Sequence, residues 1–243
     1  MKTQFFLFMF MLMSVLTSAT ACATQPTEKT PLNIIIAGSL MIPFDALTKA
    51  YQAEHPNVEI LTEAHGSIQA IRLVSEVHMQ EDIVFSADAA LIPMLMYQTP
   101  VPETGKPYAN WYIKFATNKI GVAYTPKSKY ANKITTDNWF KIISRSDVKL
   151  GLADPRFDAI GYRGLMSLQL AKAAYNKPTV LEDVILGQFK TAVTMEPENG
   201  RAIIHIPEIL ETKSTSNIVM RGASMELIAL LESGDIDYVF FQK

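Results

Sequence analysis

Residues 33–51 read NIIIAGSLMIPFDALTKAY. The three consecutive isoleucines form a short β-branched run that is typical of a buried strand. The small residues Gly38 and Ser39 follow as a turn, and apolar side chains then recur at helical spacing, as at Phe44 and Leu47. The stretch therefore predicts a strand that leads into a helix, with a glycine and a serine between them.

This pattern of a strand followed by a helix recurs along the chain. Strands are predicted at residues 32–36, 58–63 and 82–85, each followed by a helical stretch. That order predicts an α/β fold in which a mainly parallel sheet is flanked by helices. The second half of the chain alternates in the same way.

Three further stretches carry specific expectations. Residues 111–116 alternate like a strand and mark the expected domain boundary, and a helix is predicted at residues 162–175. Residues 195–215 show no clear pattern.

The length, composition and charge of the chain limit which classes of function are plausible. The 243 residues are enough for one large or two small domains, and 49% of them are hydrophobic. The 22 basic and 24 acidic residues nearly balance, and no basic stripe is visible. We therefore expect no nucleic-acid partner.

The first residues form a targeting segment. A positive start, an apolar run of about a dozen residues and a small polar end predict a signal peptide at residues 1–21. Cys22 is the only cysteine, and two interpretations remain open: lipidation of Cys22 after cleavage, or ordinary cleavage near it. Residues 22–31 read as a flexible tether.

Three turns share one arrangement, in which a strand is followed by small hydroxyl-bearing residues and then by a helix. They contain Gly38-Ser39, Gly66-Ser67 and Ser86. A helix N-terminus offers backbone N–H groups and a partial positive charge, so several of them at one sheet edge could bind an oxyanion without lysine or arginine. The alternative is that each serine caps its own helix.

Carboxylates in the second half are the next candidates. Asp154 and Asp158 belong to the loop ADPRFDAIGYRG, and Glu226 lies near the start of the helix SMELIALLES. Asp154 is interpreted as a turn residue. For Asp158 and Glu226, a capping role and a ligand role both remain open.

Enzymatic signatures are weak. The four histidines show no paired metal spacing, and neither a G-x-S-x-G elbow nor a Walker loop occurs. Arg72 and Arg163 are interpreted as surface or ion-paired residues. The sequence thus favours a binding protein over an enzyme, and no cofactor is expected.

Several motifs together resemble a known family. The segments AGSL, GSIQ-IR, SAD, NWF and GYR are similar to those of tungstate/molybdate-binding lipoproteins of ABC transporters, and the similarity extends over residues 32–241. The resemblance implies a two-lobed periplasmic-binding-protein fold with the oxyanion in the cleft. It implies lobe one at residues 32–114 and lobe two at residues 115–243. It also implies that the C-terminal return to lobe one is missing, because family members continue beyond this point.

The resemblance also implies roles for individual residues. Ser39 and Ser67 match ligand serines, Asp158 matches the aspartate before GYR, and either Ser224 or Glu226 matches the late ligand. The full candidate set for oxyanion binding is Gly38, Ser39, Ser67, Ser86, Asp158, Ala159, Ser224 and Glu226. Asp158 and Glu226 are the candidate ligands of the oxyanion's own tungsten or molybdenum, and no other metal is expected. Carboxylates at this place would disfavour sulfate and phosphate.

The implied protein is an exported monomer at the periplasmic or outer face of the cell membrane, anchored by lipid through Cys22. It would deliver tungstate or molybdate to an ABC permease. Two alternatives stay open at this point. One is a receptor of the same fold for another oxyanion such as sulfate or phosphate, and the other is a truncated surface lipoprotein without a transport function.

Overall fold

The structure is a computed structural model that describes residues 28–242. The predicted signal peptide at residues 1–21 and Cys22 lie outside these residues. Within residues 28–242, no helix combines the length and hydrophobicity needed to cross a bilayer.

Strands and helices alternate through the described residues. The strands are β1 Thr30–Ala37, β2 Val58–His65, β3 Ile83–Phe85, β4 Ile120–Tyr124, β5 Leu150–Ala153, β6 Thr194–Glu198, β7 Arg201–His205, β8 Ile218–Arg221 and β9 Tyr238–Gln242. The α-helices are α1 Met41–Glu54, α2 Ser67–Ser75, α3 Leu91–Leu95, α4 Trp139–Ile143, α5 Ala159–Ala174, α6 Val180–Val184 and α7 Ser224–Ser233. Short 3-10 turns occur at Gly38–Leu40 and Leu186–Gln188.

Three parallel strands in the order β2-β1-β3, with helices α1 to α3, form the part that we call lobe one. The buried isoleucines of β1 lie at its centre, as the isoleucine run predicts. Ile35 packs with Ile71 of α2 on one face of the sheet, and Ile36 packs with Phe44 of α1 on the other. Burial on both faces is typical of a parallel sheet covered by helices.

The second sheet, with the order β4-β9-β5-β8, and helices α4 to α7 form lobe two. Strand β5 pairs in parallel with β8 and β9, whereas β4 runs antiparallel to β9. The larger hydrophobic core lies here, around residues such as Leu152, Leu168 and Phe240. The α/β fold class predicted from the sequence is confirmed.

Four sequence-based expectations differ from the structure, two of them at element boundaries. Strand β1 begins at Thr30, inside the predicted tether, because its first residues pair with β2. Helix α5 begins at Ala159, three residues early, because Asp158 caps it. Residues 111–116 form no strand, since they have no partner strand in the described residues. Strands β6 and β7 form a hairpin in the stretch expected to lack a pattern.

One face of lobe one is open. Only Phe44 of α1 is buried, while Leu47 is 56% exposed despite its helical spacing from Phe44. Beside it, a cavity of about 1690 Å³ lies between β3 and residues 106–118. Its lining is mainly apolar and includes Phe85 and Trp111, although the candidate residues Ser39 and Ser86 also line it, and its volume is far larger than a small anion needs.

Candidate functional site

Both lobes present turns at the C-terminal ends of parallel strands. In lobe one, Ala37 is in register with His65 and Ile36 with Phe85, so the turns after β1, β2 and β3 lie at one edge. In lobe two, Ala153 is in register with Arg221, so the loops leading to α5 and α7 are also neighbours. Ligands of α/β proteins bind at such edges.

The three serines of lobe one have different environments. The hydroxyl of Ser67 is fully buried and accepts a hydrogen bond from the N–H of Ala87 at 3.1 Å. Ser67 therefore ties two turns together rather than capping α2, and its own proton remains able to donate. Ser39 is half-buried, in a 3-10 turn that has no side-chain cap.

Ser86 serves its own turn. Its hydroxyl donates to the carbonyl of Asp88 at 2.8 Å and accepts from the N–H of the same residue at 3.2 Å. Ser86 therefore does not cap helix α3, whose cap position is Ala90, and its hydroxyl bonds instead to backbone groups of its own turn.

Asp158 joins the two helix starts of lobe two. Its Oδ1 accepts from the N–H of Ile160 at 3.3 Å, which caps α5, and its Oδ2 accepts from the N–H of Ser224 at 2.9 Å, which lies at the start of α7. Asp158 is 4% exposed, and the neighbouring Ala159 and Ser224 are buried as well. One carboxylate thereby holds two helix N-termini side by side.

The lobes meet directly at this place. The carbonyl of Phe157 in lobe two accepts hydrogen bonds from the N–H groups of Ile68 and Gln69 in lobe one, at 3.0 and 3.1 Å. Two of the free N–H groups expected at the start of α2 are therefore occupied. A Cβ on Gly66 would lie 2.5 Å from the Phe157 oxygen, so only glycine permits this approach.

A second contact lies beside the first. A Cβ on Gly38 would lie 3.3 Å from the sulfur of Met225 in α7, which places the first turn of lobe one against the last helix start of lobe two. The structure thus brings Gly38, Ser39, Ser67, Asp158, Ala159 and Ser224 together where the lobes meet.

Glu226 points back to its own helix start. Its Oε1 accepts from the N–H of Ala223 at 3.2 Å, and the residue is exposed. This is one half of a capping box, in which the third helical residue satisfies the N–H of the cap, because Ala223 has no side-chain oxygen to form the reciprocal bond. Among the two candidate carboxylates, Asp158 is the buried one.

The charges around the site follow from these contacts. Burial raises the pKa of Asp158 above its ordinary value, although the hydrogen bonds from Ser224 and Ile160 oppose the shift. Two arginines near Asp158 are paired, Arg156 with Asp154 and Arg163 with Asp88, whereas Arg221 at the end of β8 makes no ion pair among the described residues. Besides the guanidinium of Arg221, the donors left for an anion are hydroxyl and N–H groups.

These contacts predict opposite pH dependences for two aspartates. The folded protein binds a proton at Asp158 more readily than the unfolded chain does, because the pKa is raised. The free energy of unfolding of the wild type relative to Asp158→Asn should therefore rise as the pH falls from 7 to about 4. Chemical denaturation of both proteins at each pH measures the difference.

Asp88 should behave in the opposite way. Burial acts to raise its pKa, but hydrogen bonds from Tyr162 and Arg163 outweigh burial and lower it. Its contribution to stability is present above about pH 4 and is lost as the pH falls through the lowered value. The free energy of unfolding of the wild type relative to that of Asp88→Asn should therefore fall at acid pH. A stability difference for Asp158 that falls at acid pH, or one for Asp88 that rises there, would contradict the corresponding assignment.

Sequence reasoning missed the groups that connect the lobes. The carbonyl of Phe157 and the side chain of Met225 carry no chemical signature in a sequence, since any residue supplies a carbonyl and any apolar side chain can pack. Gly66 was the available signal, because a glycine next to a helix start often marks a close backbone approach.

Comparisons with known proteins agree with this architecture. A family profile described as bacterial extracellular solute-binding protein matches residues 32–243. An uncharacterized solute-binding protein of Methanococcus aeolicus is 38% identical over 224 residues, which are 90% of this chain and 61% of that protein. The molybdate/tungstate-binding protein WtpA of Thermococcus kodakarensis is 35% identical over 238 residues, which are 94% of this chain and 62% of WtpA. The chain thus spans about three fifths of the length of these curated relatives.

Two solved structures share the fold. The periplasmic molybdate-binding protein of Azotobacter vinelandii superposes with a TM-score of 0.54 at 14% identity, over 87% of this chain and 71% of that one. The sulfate-binding protein SubI of Mycobacterium tuberculosis superposes with a TM-score of 0.55 at 12% identity, over 88% and 64%. Because these two proteins are named for different anions, the shared fold does not specify the ligand.

Proposed function

This chain belongs to the family of bacterial extracellular solute-binding proteins, and from that premise we propose that it binds tungstate or molybdate between its two lobes and presents the anion to an ABC permease. It acts as a receptor and not as an enzyme. It functions outside the cytoplasm as a monomer, held at the membrane by lipid on Cys22. The name of the WtpA relative and the resemblance of the motifs support the choice of anion.

One observation carries the proposal, namely the meeting of turns from both lobes at a place where two of the nearby arginines, Arg156 and Arg163, are already paired. Ser39 and Ser67 supply hydroxyl groups from lobe one, and the buried starts of α5 and α7 face them from lobe two. Helix N-termini favour negative charge through their N–H groups and dipoles. Closure of the two lobes would enclose a small oxyanion and exclude water from it.

The buried carboxylate favours tungstate or molybdate over sulfate. A carboxylate repels any anion, and the raised pKa of Asp158 reflects how poorly its charge is solvated. Tungsten and molybdenum are large, electron-poor centres that can accept a carboxylate oxygen as a further ligand. Sulfur in sulfate cannot, so only repulsion would remain.

Titration calorimetry with tungstate, molybdate, sulfate and phosphate tests the proposal. We expect binding of the first two anions and at least tenfold weaker binding of the others, which corresponds to about 1.4 kcal/mol. Sulfate binding as tight as tungstate binding would overturn the proposed ligand. A lack of binding to any of the four would overturn the proposed site.

The serines allow a matched comparison. Ser39→Ala should weaken tungstate binding by about 1.5–3 kcal/mol, the usual range for a hydrogen bond to a charged group. Ser86→Ala should have a smaller effect, because the Ser86 hydroxyl bonds to the backbone of Asp88. Equal effects of the two substitutions in the same titration would show that the hydroxyl of Ser39 does not contact the anion.

A further inference from the structure

We propose that Asp88, Tyr162 and Arg163 form an interlobe latch that fixes helix α5 against lobe one and so sets the distance between the two halves of the anion site. Asp88 belongs to lobe one, in the turn after β3, whereas Tyr162 and Arg163 belong to the first turns of α5 in lobe two. The contacts therefore bridge residues 74 and 75 positions apart in the sequence.

The contacts converge on one carboxylate oxygen. The Tyr162 hydroxyl donates to Oδ2 of Asp88, and the guanidinium of Arg163 donates to the same oxygen through Nε at 3.0 Å and through Nη2. The other oxygen of Asp88 accepts from the N–H of Ala90 at 3.0 Å, which holds the carboxylate in place from its own lobe. Asp88 is only 8% exposed, so water screens this pair less than it screens a surface pair.

The protonation states suit a permanent contact. The hydrogen bonds from Tyr162 and Arg163 outweigh burial and keep the pKa of Asp88 below its ordinary value, so the carboxylate stays charged at neutral pH. Burial, together with the hydrogen bond to Asp88, raises the pKa of Tyr162, so its hydroxyl keeps its proton and remains a donor.

The latch is linked to both sides of the site. On the lobe-one side, Asp88 directly follows Ala87, whose N–H binds the hydroxyl of Ser67. On the lobe-two side, Tyr162 lies one helical turn beyond Asp158, so both residues belong to one rigid segment. A change at the latch therefore changes how Ser67 and Asp158 face each other, although no latch residue needs to touch the ligand.

The latch should act before a ligand arrives. A second polar contact between the lobes near the site is the pair of bonds from α2 to the Phe157 carbonyl, which are backbone bonds between neutral groups. The charged latch adds an ion pair that favours the closed arrangement in the ligand-free protein. A protein that is already partly closed binds its ligand more tightly, because less binding free energy is spent on closure.

The test compares the distance between the lobes with and without the latch. Spin labels on Lys49→Cys in lobe one and Leu170→Cys in lobe two, both at exposed positions, report that distance in a chain carrying Cys22→Ser. The variants are Asp88→Asn, Arg163→Gln and the milder Tyr162→Phe, which keeps the ring. Arg145→Gln is the matched control, since it breaks the Arg145–Asp147 pair, which lies wholly within lobe two.

Without ligand, the three latch variants should give longer and broader label distances than the wild type, while Arg145→Gln should leave the distance unchanged. Unchanged distances in all three variants would overturn the latch. Double substitution of Asp88 and Arg163 should lengthen the distance no further than either single change, because both remove the same contact. Additive lengthening would overturn the pairing.

The predicted effect of the latch variants on tungstate binding depends on the proposed function, whereas the predicted change in label distance does not. Tungstate binding should weaken by about tenfold in Arg163→Gln because the anion dissociates faster. A change of about tenfold corresponds to a moderate coupling between separate sites. A wild type that binds no tungstate, together with longer distances in the variants, would refute the proposed ligand and leave the latch supported. Weaker binding with unchanged distances would refute the latch.

Discussion

Replacing Gly66 with alanine is expected to weaken tungstate binding by about five- to 150-fold while both lobes stay folded. The new Cβ would lie 2.5 Å from the carbonyl oxygen of Phe157 and 3.0 Å from Cα of Asp158. These are backbone atoms of the opposite lobe, and they cannot move aside as the end of a flexible side chain can. Overpacking of this kind costs about 1–3 kcal/mol, which is the stated change in affinity.

The overpacking in Gly66→Ala should disfavour closure of the two lobes without destabilising the fold of lobe one. Gly66 has φ −63° and ψ 145°, an extended conformation that alanine also adopts, so the substitution introduces no backbone strain. The bonds from Ile68 and Gln69 to the Phe157 carbonyl would lengthen or break as the lobes separate. Calorimetric titration together with the interlobe label distance would measure both consequences.

Gly121→Ala is the matched control for this prediction. Gly121 lies in β4 of lobe two, and a Cβ there would meet no heavy atom of the described residues within 4 Å. The control should bind tungstate as the wild type does. If Gly66→Ala also bound as tightly as the wild type, the close approach of the lobes at Phe157 would not belong to the binding state.

The local architecture of lobe one could be predicted because it depends on neighbours in the sequence. The isoleucine run of β1 is buried, and each predicted strand is followed by the predicted turn and helix. Strand pairing then follows from the rule that consecutive strand–helix units form a parallel sheet. Because parallel strands end at the same edge of their sheet, the same rule also predicts that the serine turns are neighbours.

Contacts between the lobes could not be predicted in this way. The interpretation of Arg163 as a surface or ion-paired residue is confirmed, but its partner Asp88 lies 75 residues away and no local pattern connects the two. The role of Ser67 was equally hidden, because a serine at a helix start can cap the helix, bind a ligand or hold another turn. Only the bond to Ala87 identifies the third role.

Two of the secondary-structure predictions from the sequence were wrong, and for different reasons. The hairpin of β6 and β7 was missed although the sequence contains its signal, the dipeptide Asn199-Gly200, whose φ angles of 49° and 76° suit a tight hairpin turn. Residues 111–116 have the alternation of a strand, but alternation only requires that one face be apolar. Without a neighbouring strand in the described residues, no ladder forms, and Trp111 remains 69% exposed.

Asp158→Asn is expected to reduce the preference for tungstate over sulfate more than any other single change. The carboxylate is buried and lies between the starts of α5 and α7. In the proposed site, losing it removes one ligand of the tungsten, and the loss of one partner of a buried charged contact costs about 2–5 kcal/mol. Sulfate should bind more tightly than before, because the repelling charge is gone. Competition titrations of the two anions give the ratio directly.

The substitution leaves most of the local structure intact, which makes the result interpretable. Asparagine has nearly the same shape as aspartate and is an equally good helix cap, so its amide oxygen can still accept from Ser224 or Ile160.

Asp154→Asn is the matched control, since Asp154 is also buried in this loop but its carboxylate pairs with Arg156 of the same loop, at 2.9 Å. It should leave the ratio of the two affinities unchanged. If both variants kept the wild-type ratio, a carboxylate at position 158 would have no part in discrimination, and selectivity would have to come from the size of the anion that the serine turns enclose.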